Sequence, residues 1–302
     1  KNIPFLQKWR YIMREKNRNH YRYSLTLPAI VLYTLFYIIP VILGFVMAFT
    51  NWNIRDLRSA EFNGIENFIT IFGDQNFLLS VKNTLLFAVT TTVFKVIFGL
   101  GLALLLTNAF KLRSFMRSVF YMPAVLSTVV IGLVFTAFFE VGGVFDRMVS
   151  FLHMNTHIWL GEAQTAMACV IFVEIWQWSG FSMMLFIAGL QGIDRIYYEA
   201  ATIDGATKLQ RLRYITIPLL GPSFTITIVT NLIGGLKVFD KVYVLTNGGP
   251  GYATQVLGTY VYRAFSAGFL GKSSAMSLVL TVLVCVITII INKYMRGREV
   301  DA

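Results

Sequence analysis

The sequence has little charge, few histidines and almost no cysteine, and each shortage excludes a class of protein. Charged residues make up 14% of the 302 positions, and there are 2 cysteines and 3 histidines. Soluble proteins carry about 25% charged residues, so this chain does not have the composition of a soluble domain. Two cysteines cannot build a scaffold that depends on several disulfides.

Motifs of a catalytic or cofactor site are missing as well. The sequence has no nucleophile elbow, no metalloprotease helix and no dinucleotide fingerprint. Residues 268–274 end like a phosphate-binding loop, but Ser266 stands where that loop needs its first glycine. His153 and His157 are four residues apart and are expected to share a helix face. No third ligand lies near them, and zinc needs three or four, so we predict no catalytic residue, no metal and no cofactor in this chain.

Apolar residues are what the sequence has in excess, at 56% of the total. A helix that crosses a bilayer needs about 20 mostly apolar residues, and six segments meet that length. These segments, numbered spans 1 to 6, lie at about 24–50, 79–107, 117–139, 164–191, 214–236 and 273–292. The first is too long for a cleaved signal peptide. The predicted fold class is therefore all-α, a polytopic membrane protein with six transmembrane helices.

The formal net charge of +11 is explained by topology rather than by nucleic acid binding. Lysine and arginine accumulate in cytoplasmic segments. The two tails and the loops after spans 2 and 4 hold 17 basic residues, whereas the other three loops hold 7. We predict that both termini are cytoplasmic, with a basic tail at 1–23 that contacts membrane lipid, a six-helix domain at 24–292 and a second tail at 293–302.

One basic residue, Lys95, lies near the middle of span 2. A charge at that depth costs at least ~2.5–3.5 kcal/mol unless it faces protein or water. Glu174 in span 4 is the acidic residue best placed within a predicted span, so we expect the two side chains to pair. Two interpretations of Lys95 stay open, a contact for substrate or gating and a structural ion pair.

A polar stretch separates spans 4 and 5. Asp194 can cap a helix over residues 195–203, and Ala200 and Ala201 would give that helix a smooth surface that another protein can approach closely. Gly205 permits backbone angles closed to other residues, so a second helix can begin near Ala206 after a sharp turn. We predict an L-shaped element over 192–213 that projects from the membrane.

This stretch closely resembles the signature of the integral-membrane permeases of binding-protein-dependent ABC importers. That signature is Glu-Ala-Ala, then Asp-Gly-Ala, then Ile-x-Leu-Pro. The matching residues are Glu199, Ala200, Ala201, Asp204, Gly205, Ala206, Ile215 and Pro218. The chain departs from the pattern at Ile217, where leucine is usual, and at Leu209 and Leu212, where aromatic residues are frequent.

The resemblance implies a subunit of a larger machine in the bacterial inner membrane. Such permeases pair with a second, related permease, and a cytoplasmic coupling helix between helices 4 and 5 of each one docks into an ATPase subunit. The signature residues together with Leu209 would form that contact. ATP and magnesium would be held by the two ATPase subunits, so this chain would be no enzyme itself. An extracytoplasmic solute-binding protein would deliver the substrate.

Two further segments resemble the carbohydrate importers of the maltose type. They are Leu245-Thr246-Asn247-Gly248-Gly249-Pro250 and the stretch from Trp176 to Ile193. A sugar offers apolar ring faces and hydroxyl groups, so aromatic and hydrogen-bonding side chains near the outer ends of spans 4 and 5 are candidate contacts. The candidates are Trp176, Trp178, Gly189, Asn231, Gly235, Lys237, Asp240 and Tyr243, and the resemblance points to Gly189, Asn231 and Gly235 among them.

Each of these candidates has a structural alternative. Tryptophan and tyrosine also form belts at membrane interfaces, and glycine also allows helices to pack closely. Lys237 suits either an acidic oligosaccharide or the docking of the binding protein. For the whole chain, a secondary transporter is the alternative and a channel or scaffold comes third. Inverted repeats and several intramembrane carboxylates, which are usual in secondary transporters, are not evident in the sequence.

Overall fold

The computed structural model describes residues 26–55, 60–107, 111–153 and 156–297. The predicted tail at 1–23 and the last five residues of the tail at 293–302 lie outside them. The described helices are α1 (Leu27–Met47), α2 (Glu66–Phe72), α3 (Gln75–Thr107), α4 (Arg113–Val125), α5 (Thr128–Phe138), α6 (Val144–Phe151), α7 (Ala166–Gly192), α8 (Arg195–Ile203), α9 (Lys208–Leu219), α10 (Gly221–Leu236), α11 (Asp240–Thr246), α12 (Leu257–Ser266) and α13 (Leu270–Arg296).

Four of these helices are long and apolar enough to cross a membrane, namely α1, α3, α7 and α13. The pairs α4–α5 and α9–α10 bring the number to six if each pair is one bent span. The prediction of an all-helical polytopic protein is confirmed, whereas the orientation of the termini stays a prediction. No residue of α1 is buried within the chain, although its second half contacts α13, so this helix leaves most of its apolar surface for lipid or another subunit.

Two of the predicted spans are bent, which the sequence analysis did not foresee. Span 3 turns by 94° between α4 and α5, and span 5 turns by 64° between α9 and α10. The first bend follows Pro123 and leaves Leu126 in an extended conformation. The Nε2 group of Gln177 donates a 3.2 Å hydrogen bond to the Leu126 carbonyl. The interrupted helix provides no donor for this carbonyl group, so the hydrogen bond from span 4 stabilises the bend of span 3.

The centre of the fold is the packing of α3, α4 and α7, and small residues bring these helices together. A Cβ atom on Gly99 of α3 would lie 2.6 Å from Cβ of Ser182 on α7. A Cβ atom on Gly180 would lie 1.9 Å from the carbonyl oxygen of Phe120 on α4. Below them, Met183 and Phe186 are fully buried in an apolar cluster. Close backbone approach through small residues is the usual way in which helices associate in a bilayer.

The segment between α11 and α12 is tied to α3 by Asn83. Its Nδ2 group donates to the carbonyl groups of Tyr252, Ala253 and Gln255 at 3.3, 3.1 and 3.0 Å. On the same side, the Tyr260 hydroxyl donates a 2.5 Å hydrogen bond to Asp74. Burial, and then this carboxylate, raise the pKa of Tyr260, so the phenol remains a donor at neutral pH. The two contacts fix α12 and the preceding loop against the start of span 2.

The expectation that His153 and His157 share a helix face is wrong. Helix α6 ends at Phe151, and His153 has a φ of 57° in the turn that follows. A positive φ interrupts the helical period on which the expectation depended. The Nδ1 atom of His157 instead lies 3.1 Å from the carboxylate of Glu162.

The packing of α4 on α7 predicts the effect of adding one methyl group. Gly180→Ala would place that group against the backbone at Phe120, which cannot move without shifting α4. We expect the free energy of unfolding to fall by about 1–3 kcal/mol, the range of overpacked cores, measured by thermal denaturation in detergent.

The matched control is Gly101→Ala in α3, where a Cβ atom meets nothing within 4 Å. Alanine favours a helix over glycine by about 1 kcal/mol, so this variant should be as stable as the parent or more so. Equal stability of the two variants would contradict the described contact between α4 and α7.

Candidate functional site

A cavity of about 310 Å³ lies where spans 2 to 5 meet the start of α11. It is partly open, and two helices begin at its wall, α5 at Thr128 and α11 at Asp240. The residues that line it are Lys95, Thr128, Glu174, Trp178, Phe181, Thr230, Asn231, Gly234, Lys237, Val238, Phe239, Asp240 and Lys241. Charged, amide, hydroxyl and aromatic side chains are therefore collected around one space.

The inner wall of the cavity is an ion cluster centred on Glu174. Its Oε1 atom lies 3.0 Å from Nζ of Lys95, and its Oε2 atom lies 2.5 Å from Nζ of Lys241. The two lysine side chains are 2% and 1% exposed. The predicted pairing of Lys95 with Glu174 is confirmed, and the cluster connects α3, α7 and α11. Charges removed from water in this way persist only when they are paired.

Lys241 is one of the seven basic residues that the charge count assigns to outer loops, and its side chain is buried. The chain turns through Lys237 after α10 ends at Leu236, and α11 begins at Asp240. Helix α11 packs on α5 and α7, which brings Lys241 to Glu174.

Asn231 presents a hydrogen-bond acceptor to the cavity. Its Nδ2 group donates 2.9 Å bonds to the Ser182 hydroxyl and to the Thr227 carbonyl. Both amide protons are thus engaged, and the carboxamide is held in one orientation between α7 and α10. In the described part of the chain nothing donates to its Oδ1 atom, although Asn231 lines the cavity. That oxygen can accept a hydrogen bond from a hydroxyl group of a bound solute.

Aromatic rings form another part of the lining. Trp178 and Phe181 contact each other edge to face, with ring centroids 5.9 Å apart and an interplanar angle of 86°. Phe239 closes the opposite end, and its outer face is stacked on Tyr243 at 5.3 Å. Rings that are only partly buried offer an apolar surface on which the face of a sugar can pack.

The structure brings together four of the eight predicted substrate residues, Trp178, Asn231, Lys237 and Asp240. The other four lie outside the lining. Trp176 contacts Phe135 at 5.1 Å between centroids, and Tyr243 contacts Tyr262 at 5.3 Å. A Cβ atom on Gly189 would lie 1.9 Å from Ser223, and one on Gly235 would lie 2.7 Å from the backbone of Ala88. Both glycines therefore allow close helix packing, the structural alternative considered above, and their role in binding stays a prediction.

The predicted L-shaped element has the expected helices and turn. Asp194 accepts a 3.1 Å bond from the backbone of Ile196 and caps α8. Gly205 has a φ of 73°, and the backbone N–H of Ala206 bonds to the Ala201 carbonyl at 2.9 Å. The turn therefore needs the conformational freedom of glycine, as the sequence indicated.

Side-chain bonds hold the two arms of the element together. Arg211 donates to the Thr202 hydroxyl at 3.0 Å, and the hydroxyl groups of Tyr198 and Thr216 lie 3.0 Å apart. Thr207 and Gln210 form a capping box at the start of α9. These bonds hold α8, α9 and the turn between them in one arrangement, and this L-shaped unit is called the bracket below.

Half of the eight signature residues are exposed on this bracket. Glu199, Ala200, Asp204 and Gly205 are exposed, while Ala201 is buried against the chain and Ala206, Ile215 and Pro218 are half-buried. Leu209 is 73% exposed and Ile203 is 87% exposed. Large apolar side chains with this degree of exposure are typical of a surface that another protein covers.

A polytopic helical fold that encloses a cavity lined by charged, amide and aromatic groups is the architecture of a membrane transport protein. The model of the family described as binding-protein-dependent transport system inner membrane component matches residues 95–298. The chain belongs to this family. The predictions of a permease of this class and of a multi-pass inner membrane location are thereby confirmed.

Known relatives extend the similarity over nearly the whole chain. It is 31% identical over 278 residues to the trehalose/maltose transport system permease protein MalF of Thermococcus litoralis, which covers 92% of this chain and 94% of that protein. It is 34% identical over 274 residues to the sulfoquinovosyl glycerol transport system permease protein SmoG of Agrobacterium fabrum, with 90% and 89% covered.

A solved structure has a similar fold. It is the crystal structure of a bacterial alginate ABC transporter in complex with an alginate pentasaccharide-bound periplasmic protein. One of its chains matches with a TM-score of 0.81 and 25% identity, over 94% of this chain and 96% of that one.

The ion cluster predicts that its three members differ in importance. Glu174→Leu would leave two buried ammonium groups close together without a carboxylate, and breaking a buried pair in this way costs about 3–5 kcal/mol. Lys95→Met should cost clearly less, because the pair between Glu174 and Lys241 remains. Thermal denaturation of the purified variants measures both. A loss for Lys95→Met as large as that for Glu174→Leu would contradict a cluster centred on Glu174.

Proposed function

We propose that this chain forms, with a second related permease, the membrane path for a sugar or oligosaccharide that an extracytoplasmic binding protein delivers. The observation that carries the proposal is the cavity, whose lining combines the amide of Asn231, held by two hydrogen bonds, with the rings of Trp178 and Phe239. Hydroxyl groups of a sugar would bond to the polar residues and its ring faces would pack on the aromatic ones. The names of the relatives, which transport sugars, support the same substrate class.

Energy for transport would come from two separate ATPase subunits, which hold ATP and magnesium. The bracket formed by α8 and α9 would be the coupling helix, and its exposed Leu209 and Ile203 would enter a cleft of the ATPase. Closure of the ATPases would then move the bracket as a rigid body and alternate the access of the cavity between the two sides. The basic residues around the bracket support a cytoplasmic location by the charge rule used above.

A secondary transporter is the alternative, and the structure gives it little support. Ion-coupled carriers use several intramembrane carboxylates. Within the described parts of the predicted spans, Glu174 is the buried carboxylate, and both of its oxygens are bonded to lysine. A carboxylate that is already neutralised by two ammonium groups is poorly suited to bind a coupling cation.

The two mechanisms can be separated by their source of energy. Uptake of a radiolabelled oligosaccharide is measured in cells that express the complete importer, after either ATP depletion or dissipation of the proton and sodium gradients. The importer mechanism predicts that uptake stops in the first case and continues in the second. Uptake that survives ATP depletion and stops with the gradients would reject it.

The turn of the bracket predicts an uncoupling variant. Gly205→Val would force a β-branched residue into a left-handed backbone, at a cost of about 1–2 kcal/mol, without a steric clash, since a Cβ atom there meets nothing within 4 Å. We expect insertion into the membrane to be normal and the initial rate of uptake to fall by about tenfold, the scale of coupling energies between sites. The rate is measured together with ATP hydrolysis by the complex.

Gly142→Val is the matched control. Gly142 also has a positive φ, of 74°, and open space around its Cβ position, but it lies in the predicted outer loop between α5 and α6. Uptake should be close to that of the parent. Normal uptake by the Gly205→Val variant would contradict the role of the bracket in coupling. The import function would still be tested separately by the experiment on the source of energy.

A further inference from the structure

We propose that the cavity binds an anionic group of its substrate, so that the transported saccharide is acidic, as a uronic acid oligosaccharide is. This inference rests on the proposed import function and adds the charge of the substrate to it. It is derived from the ion cluster of Lys95, Glu174 and Lys241, which forms the inner wall of the cavity.

The inner wall has two ammonium groups and one carboxylate, so it carries one net positive charge. Glu174 is the carboxylate that bonds the two ammonium groups in the described part of the chain, and each of its oxygens already accepts one of them. Both lysine side chains are at most 2% exposed. A buried excess charge is unfavourable, and an anion beside it removes the imbalance.

The two ammonium groups also have hydrogen-bond donors to spare. Each lysine carries three N–H groups, and within the described residues each is bonded only to Glu174. Both residues line the same cavity, so the donors that Glu174 does not use are available to a ligand or water that reaches this wall. A carboxylate in the cavity could accept from Lys95 and Lys241 together, whereas a hydroxyl group would leave the excess charge unchanged.

Charges on the other elements around the cavity agree with this polarity. The turn after α10 contributes Lys237 and α11 contributes Asp240, both exposed and neither in an ion pair in the described part of the chain. The lining as a whole therefore has three ammonium groups and two carboxylates. The amino terminus of the 11-residue helix α5 also lies at the cavity through Thr128, and helix amino termini favour anions.

The sign of the field in the cavity can be measured without knowing the substrate. A single cysteine is introduced as Thr230→Cys, at an exposed position of the lining, in a chain in which Cys285 is changed to serine. The assembled importer in lipid nanodiscs is treated with a thiosulfonate reagent that carries a sulfonate or with one that carries a quaternary ammonium. Protein without Thr230→Cys supplies the background.

The rate ratio of the two reagents, divided by their ratio for a small thiol in solution, reports the local potential. We expect a preference of about tenfold for the anionic reagent, because clefts of one sign concentrate the opposite charge. Lys237→Met should lower the preference by about threefold, since it removes one cation of the lining. Lys82→Met should leave it unchanged, because Lys82 is equally exposed on α3 and does not line the cavity.

Protection from labelling then tests the ligand itself, in the absence of the binding protein. A trisaccharide of uronic acids should slow the reaction of Thr230→Cys, and the same trisaccharide with its carboxyl groups reduced to alcohols should not. Sodium acetate at the same concentration should not protect either, because it lacks the sugar rings.

Each alternative result overturns the inference. An equal rate for the two reagents, or a preference for the cationic one, would show that the cavity has no excess of positive potential. Equal protection by the acidic and the reduced trisaccharide would show that it does not select for charge, and protection by acetate alone would indicate a site for small anions. None of these outcomes affects ATP-driven uptake, which is the separate test of the import function.

Discussion

The bonds from Glu174 to Lys95 and Lys241 are the interaction on which the arrangement of the cavity depends. An ammonium group inside a bilayer must be paired or must reach water. One carboxylate can bond both lysines only if α3, α7 and α11 pack closely enough for their side chains to meet. The turn of the chain at Lys237 brings α11 against α7 and so meets that requirement.

The sequence allowed the broad fold to be predicted because lengths and polarity are local properties. Apolar runs predicted where the four long apolar helices and the two bent helix pairs lie, and the depth of Lys95 predicted its pairing with a carboxylate in another span. The cap at Asp194 and the turn at Gly205 were predictable because each depends on a single residue type. The bend of span 3 could not be predicted, because a hydropathy pattern does not show the direction in which a helix runs. The hydrogen bond that supports the bend joins residues 51 positions apart.

Four of the eight predicted substrate residues line the cavity, and there is a physical reason why others do not. Asn231, Lys237 and Asp240 were predicted as hydrogen-bonding side chains near the outer end of span 5, and they line the cavity. Gly189 and Gly235 were chosen by resemblance, but a residue without a side chain serves equally well to bring two helices together, and that is where both lie. Lys241 was missed because its burial depends on a turn of the chain that no local pattern indicates.

The bracket and the cavity are connected by a short and stiff route through span 5. Helix α9 is the second arm of the bracket, and it joins α10 at the 64° bend beside Leu220, whose side chain is fully buried. Ser223 just beyond the bend lies against Gly189 on α7, so the bend is held in place by packing rather than by a loop. Packed elements of this kind move as rigid bodies. A movement of the bracket would therefore be carried across the bend and along α10 to Asn231, whose carboxamide is fixed between α10 and α7 at the wall of the cavity.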